Sequence, residues 1–339
     1  MPIISAVGEL DIIGAIEAAY DDAADDAAWL ERLARVVDPA FGAGVAPTTA
    51  FYFDIRPAKQ EYLGTFVSVG SHPYTREQFE KQQAVATPAQ LRKAYECDMF
   101  TLLSRVVGQE GTAEGVRRSG MVDVDSLDSL GLRANVTPDS GVIVTTLVPW
   151  GFRIRHRNLW VRLAAHIGAG LRLRQARRSP SPDGAAAILT PTGKLEHGTS
   201  KTQAARGDLA HAAKAIDRAR GKLRRFDPDE ASKLWRAMVR GEWSLVDWFD
   251  HDGKRFLLAH DNRVAPERTP QLTEREHQTV ACAAMGHSNK LIAYDLGLSP
   301  GTVSVLLSRA ATKLGVSNRP GLIRAFRDLA PPTEAAESP

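Results

Sequence analysis

Between residues 299 and 315 the chain reads SPGTVSVLLSRAATKLG, and a helical wheel sorts this stretch by chemistry. At about 100° per residue, Val303, Leu307, Ala310 and Leu314 fall on one side, with Leu306 and Ala311 on its rims. The opposite side carries Ser304, Val305, Ser308, Arg309 and Thr312. Short hydroxyls around one long guanidinium make too small a face for an ion-pair network. They suit close approach to polar edges at the floor of something narrow. Elsewhere the chain offers less. It has no GxxxxGK[ST] phosphate loop. The run DDAADD (21–26) sits in a helical pattern rather than at a strand end, and so reads as a solvated helix face, not a phosphoacceptor pocket. Asp123, Asp125 and Asp128 lack the glycine and closing glutamate of a calcium loop. His156, His166, His197, His211, His251 and His260 are scattered, and Cys97 and Cys282 show no zinc-site spacing, so no metal and no cofactor are expected.

The elements that must position the 299–315 face are punctuated clearly. Ser299 is an N-cap, Pro300 suits the first helical position, and Gly315 can end the helix. Upstream, Thr273 and Glu276 form a capping box, Gly286 closes that helix, Ser288 caps the next over 289–296, and Gly297 makes the turn. Two helices joined by a short glycine-containing turn are a helix-turn-helix signature, whose second helix enters the DNA major groove. The residues expected at DNA are therefore Lys290, Thr302, Ser304, Val305, Ser308, Arg309, Thr312 and Lys313. Arg309 is the candidate for bidentate guanine contact, and Lys290 is the candidate for phosphate.

LTEREHQTV, GHSNKLIAYDLGLSPGTV, KLGV and NRPGLI, in register over residues 272–326, resemble the DNA-binding domain of the LuxR family of transcriptional regulators. The resemblance implies a compact four-helix domain that binds double-stranded DNA as a homodimer, with the fourth helix (about 319–327) at the dimer contact through Leu322, Ile323 and Phe326. Two departures stand out: Ser304 where the family usually has Lys, and Leu306 where His is frequent. SPGTVSVLLSRAATKL is also similar to the last helix-turn-helix of sigma factors. The mixed strands and helices upstream, and the fourth helix after Leu314, favour LuxR.

Charge is distributed unevenly along the 339 residues. Residues 1–150 hold 12 Lys and Arg against 21 Asp and Glu, whereas 151–225 hold 17 against 4. This basic stretch is expected to face either DNA phosphates, an acidic partner or solvent. The apolar stripe Leu159, Leu163, Ile167 and Leu171 suits a dimerising helix equally well.

Along the rest of the chain, the pattern predicts a helix over 10–36, paired strands at 50–56 and 62–70, and helical material from 75 to 107. A hairpin over 129–149 turns at Pro138–Gly141, and a helix spans 155–178. The cluster RRSPSPDG (177–184) marks a boundary. Beyond it come a hairpin at 185–197, helices at 202–225 and 228–240, and a hairpin at 242–260 turning at Asp250–Gly253. Phe51, Tyr52, Phe53 and Tyr62 read as core in preference to a pocket lining.

The expectation is an α+β chain: a GAF/PAS-like sensor region (1–178), a small PAS-like module (185–260), a linker (261–271), an all-α LuxR-type domain (272–328) and a disordered tail (329–339). No residues look catalytic. No apolar run is long enough for a membrane span and no signal peptide opens the chain, so a cytoplasmic location is expected. The expected function is sequence-specific transcriptional regulation in response to a small-molecule or other signal, with RNA polymerase as a further partner. The alternative is a sigma-factor-like or protein-docking helix-turn-helix on a ligand-binding or enzymatic N-terminal domain.

Overall fold

The structure, a computed structural model, describes residues 11–21, 23–41, 46–55, 63–83, 95, 98–118, 127–175, 185–239, 241–250, 252–262 and 272–329. The sequence boundary at 177–184, the linker expected over 261–271 except for its first two residues, most of the tail, and Tyr62, Cys97, Asp123, Asp125, Arg177 and Arg178 lie outside these residues.

Helices α1 (Ile12–Ala19) and α2 (Asp26–Phe41) replace the single helix expected over 10–36. The chain breaks between them because Asp25 accepts a hydrogen bond from the Ala28 amide at 2.8 Å and starts a new helix. The break also returns Trp29, whose indole donates to the Ala19 carbonyl at 3.2 Å. The acidic run therefore marks a helix boundary.

Five strands follow: β1 (Thr48–Asp54), β2 (Leu63–Val69), β3 (Phe100–Leu102), β4 (Leu127–Thr137) and β5 (Ser140–Pro149). They form an antiparallel sheet in the order β2-β1-β5-β4-β3. Around it lie α3 (Arg76–Gln83), α4 (Ser104–Arg118) and α5 (Arg157–Gln175). The helical stretch expected from 75 to 107 is interrupted by β3, where Phe100 pairs with Leu132 on β4. Alternation along β1 sends Phe51 and Phe53 to one face, where they bury with Phe79 and Tyr95, while Ala50 joins the main core on the other. Tyr52 packs against Trp29 on that second face, so the described aromatics of β1 serve as core.

α5 lies across the sheet and against α1. Gly170 permits this approach, since a Cβ there would run into the Ala19 carbonyl. Its apolar stripe is spent in the same way: Leu159, Leu163, Ile167 and Leu171 are all buried within the chain's own core.

A second unit contains β6 (Ala187–Leu189), β7 (Leu195–Gly198), α6 (Ser200–Ala204), α7 (Arg206–Arg218), α8 (Pro228–Leu234), β8 (Trp243–Phe249) and β9 (Arg255–Asp261). After α7 the chain kinks at Gly221 (φ −73, ψ −145) within Ala219–Leu223 and makes a last turn ending at Phe226. α8 stops at Leu234, short of the expected 240, where Trp235 turns inward and is buried. The sheet order is β7-β6-β9-β8. In both sheets the last strand of the closing hairpin inserts beside the first strand of the opening one. The two sheets also share one hydrophobic cluster, joined through α1, α5 and the segment around Ala231–Ala237.

Four helices complete the fold: α9 (Glu274–Ala284), α10 (Asn289–Leu296), α11 (Pro300–Lys313) and α12 (Arg319–Leu329). They enclose a separate core of Val280, Ile292, Leu296, Val303, Ala310, Leu322 and Phe326 among others. Among the described residues no single helix is long and apolar enough to cross a membrane.

Candidate nucleic-acid interface

The caps read from the sequence are formed. The Thr273 hydroxyl accepts from the Glu276 amide at 3.3 Å, while Glu276 accepts from the Thr273 amide at 2.8 Å. Ser288 accepts from Leu291 and Ser299 from Thr302. Gly297 takes φ +65, the left-handed conformation that ends α10 and turns the chain. α10 and α11 then meet at 105°, within the roughly 90–120° range of helix-turn-helix pairs.

On α11, Val303, Leu307 and Ala310 point into the core, whereas Thr302, Ser304, Val305, Ser308, Arg309, Thr312 and Lys313 are exposed. Val305, 49% exposed, is the apolar member of this face. Arg309 and, on α10, Lys290 are exposed and have no ion pair or hydrogen bond to the described residues. The hydroxyls of this face are held locally: Ser304 donates to the Pro300 carbonyl and accepts from Asn289, and Thr312 donates to the Ser308 carbonyl. Lys313 differs. Its ammonium donates to Glu276 at 2.6 Å and ties the end of α11 to the capping box of α9, holding that carboxyl below its usual range against the opposing effect of burial.

Of the residues expected between copies, Leu322 and Phe326 turn into the domain's own core, Phe326 with its ring 4.9 Å from His277. Ile323 is half-buried, and Arg324, Arg327, Asp328 and Leu329 are the exposed positions around it. Part of the basic 151–225 stretch is committed within the chain, while Arg153, Arg155, Lys201, Arg206, Lys214, Arg218, Lys222 and Arg225 are exposed. Arg174 pairs with Asp26 at 3.2 Å and lies over Trp29, Arg162 pairs with Asp229 at 2.8 Å, and Arg220 bridges Glu17 and Asp247. Arg172 faces Asp295 of α10.

That last pair belongs to a seam the sequence did not reveal. α10 packs its second face on α5 and on the segment after α8, and Tyr294 enters a polar network there. His166 of α5 is fully buried, and its Nε2 lies 2.9 Å from the Trp235 carbonyl and 2.8 Å from the Tyr294 hydroxyl. A carbonyl only accepts, so Nε2 carries the proton, and Nδ1 accepts from the Tyr20 hydroxyl at 3.0 Å. Burial pushes the His166 pKa down to about 3 and keeps the imidazole neutral. The Tyr294 hydroxyl in turn lies 2.7 Å from the Ser232 carbonyl and 2.6 Å from that of Trp235. Arg275 pairs with Glu242 at 2.8 Å farther along the seam, and Met238 joins the C-terminal core while Leu291 joins the larger one. Signals for these residues are hard to read in one dimension: a lone Tyr, Asp or His on an apolar face is common in ordinary cores.

This geometry defines a four-helix domain whose α10–α11 pair is a helix-turn-helix with the outer face of α11 uncovered. Residues 270–326 match the bacterial regulatory proteins of the luxR family, and they carry a domain of that family. Over 58 residues the chain is 43% identical to the transcriptional regulatory protein FixJ of Azorhizobium caulinodans, covering 17% of this chain and 28% of that protein. It is 44% identical over 66 residues to the transcriptional regulatory protein UhpA of Escherichia coli (20% and 34%) and 40% over 57 residues to FixJ of Rhizobium meliloti (17% and 28%). The chain thus spans about a third or less of the curated relatives it matches, and the likeness is confined to the C-terminal domain.

Proposed function

We propose that the chain is a sequence-specific DNA-binding transcriptional regulator. The observation that carries this reading is the outer face of α11: small hydroxyls, an uncovered Val305 and an unengaged Arg309, with Lys290 equally unengaged on the helix before it. Arg309 reads a base edge, a bidentate guanine contact being worth about 1–3 kcal/mol, and Lys290 holds phosphate. Thr302, Ser304, Val305, Ser308 and Thr312 fill the groove around Arg309, and Lys313 acts chiefly as a strut to Glu276.

The active form is a homodimer in which two copies meet along the exposed side of α12 beside Ile323, giving a pseudo-palindromic site. RNA polymerase is the downstream partner. The two-sheet portion is the sensor, its first sheet GAF/PAS-like and its second a smaller PAS-like module; the shared strand plan supports this reading. A small-molecule signal meets the first sheet at a cleft of about 490 Å³ whose lining includes Arg105, Arg153, Arg157 and Trp150.

Selection from randomised DNA with the full chain tests the core of the proposal. The parent enriches a repeated half-site. Arg309→Ala loses preference at one position per half-site, whereas Lys290→Ala weakens all sites alike and lowers the salt slope by about one unit. Failure of the parent to enrich any site, or an unchanged preference in Arg309→Ala, refutes it.

A further inference from the structure

One cluster in the C-terminal domain takes no part in presenting α11. Cys282 on α9, His287 in the turn that follows, and Asp295 on α10 are 5%, 2% and 1% exposed, and each offers a ligand atom, these atoms all lying within 4.8 Å of one another. The Cys282 sulfur and His287 Nδ1 each lie 3.7 Å from the same carboxylate oxygen, Oδ2 of Asp295. Neither ring nitrogen of His287 has a hydrogen bond, nor does the other Asp295 oxygen. An imidazole nitrogen removed from water without a partner is costly, and an ion at Nδ1 satisfies the one that faces Asp295.

We infer that Cys282, His287 and Asp295 form a binding site for a thiophilic divalent transition metal, with Zn²⁺ as the fitting ion. The spacing supports it. Metal–ligand bonds of about 2.3 Å to sulfur and about 2.0–2.1 Å to nitrogen and oxygen, set at tetrahedral angles, give ligand–ligand edges of about 3.3–3.6 Å. The two 3.7 Å separations need to close by only a few tenths of an ångström.

The surrounding groups agree with this assignment. Arg172 approaches Asp295 at 3.7 Å through Oδ1, the oxygen turned away from Cys282 and His287, so it braces the carboxylate without occupying the lone pairs at the site. Sulfur ligates as thiolate, so loading displaces one proton from Cys282 to solvent. The thiolate and the carboxylate then balance the two charges of the ion. Three protein ligands leave the fourth position to water or a small anion. Because Arg172 belongs to α5, the metal and the seam draw on the same carboxylate, and occupancy of one changes the stability of the other.

The test is a titration of the reduced, metal-stripped full chain with Co²⁺ under anaerobic conditions. The expected result is one Co²⁺ per chain, with a thiolate-to-cobalt charge-transfer band and intense tetrahedral visible bands, both removed by Zn²⁺. Cys282→Ser abolishes the charge-transfer band, Cys97→Ser retains it, and His287→Gln and Asp295→Asn each weaken binding at least about tenfold. Should Cys282→Ser fail to fold, His287→Gln carries the comparison. A folded parent without the band at stoichiometric Co²⁺, or a band that survives in Cys282→Ser or disappears in Cys97→Ser, overturns the assignment. The readout is independent of DNA binding.

Discussion

Replacing Tyr294 by Phe isolates the polar part of the seam, because the ring keeps its volume and only the hydroxyl is lost. That oxygen lies 2.8 Å from His166 Nε2 and 2.7 and 2.6 Å from the carbonyls of Ser232 and Trp235. With a single proton it donates to one carbonyl at a time while accepting from Nε2. After the substitution His166 keeps the Trp235 carbonyl at 2.9 Å, so the imidazole is not orphaned, but the Ser232 carbonyl loses this donor. An unmade buried hydrogen bond costs about 1–3 kcal/mol, which corresponds to a fall of about 5- to 150-fold in the ratio of docked to undocked seam. Amide hydrogen exchange on the full chain reads this directly. Exchange in α10 and the facing part of α5 accelerates by that factor, while β4 and β5, paired over their length, keep the parent's rates. Exchange within twofold of the parent at the seam, or an equal acceleration in β4 and β5, refutes the reasoning.

Acid should loosen the same region. His166 and His287 stay neutral when folded, with pKa values near 3 against 6.5 for the free side chain. The unfolded chain therefore binds more protons below pH 6.5, so their contribution is full above 6.5 and lost as pH falls towards 3, by up to about 1.4 kcal/mol per pH unit for each. Asp295, whose carboxyl burial raises, offsets part of this, and Tyr20 and Tyr294 stay neutral throughout. Urea midpoints that hold level or climb between pH 7.5 and 5 contradict the account. Gly170→Ala should lower stability by about 1–3 kcal/mol despite Ala's better helix propensity, because its methyl meets the Ala19 carbonyl; Gly207→Ala, with open space at its Cβ, should be neutral or gain up to about 1 kcal/mol in the same denaturation series. Lys313→Met should cost the C-terminal domain about 1 kcal/mol, discounted because Lys313 is partly exposed, while leaving site preference on randomised DNA as in the parent.

The C-terminal domain was legible because each of its decisions is local. Thr273, Ser288, Gly297, Ser299 and Pro300 fix starts and stops within a few residues, and the apolar positions of α11 repeat at helical spacing. Hairpins with turn residues at 138–141 and 250–253 were legible for the same reason. The helix over 10–36 was misread because an exposed Asp fits a helix's solvent face as well as a cap, and periodicity does not distinguish the two; Asp25 is the cap. The inward fate of Leu322 and Phe326 depends on how α12 lies across α9, and the commitment of Arg162, Arg172 and Arg174 depends on acids far away in sequence. Neither leaves a trace in spacing. The seam is the extreme case, since His166 and Tyr294 are 128 residues apart and each alone is an ordinary core residue.

α10 faces two ways, giving Ile292, Ala293 and Leu296 to its own domain's core and Leu291, Tyr294 and Asp295 to the seam. Modular exchange meets an obstacle here. A DNA-reading domain grafted from a relative would arrive with a helix shaped for its own neighbours, and one that lacks these three side chains would hang from the linker unseated. Transplanting specificity into this scaffold therefore means moving the outer residues of α11 alone and leaving the preceding helix in place.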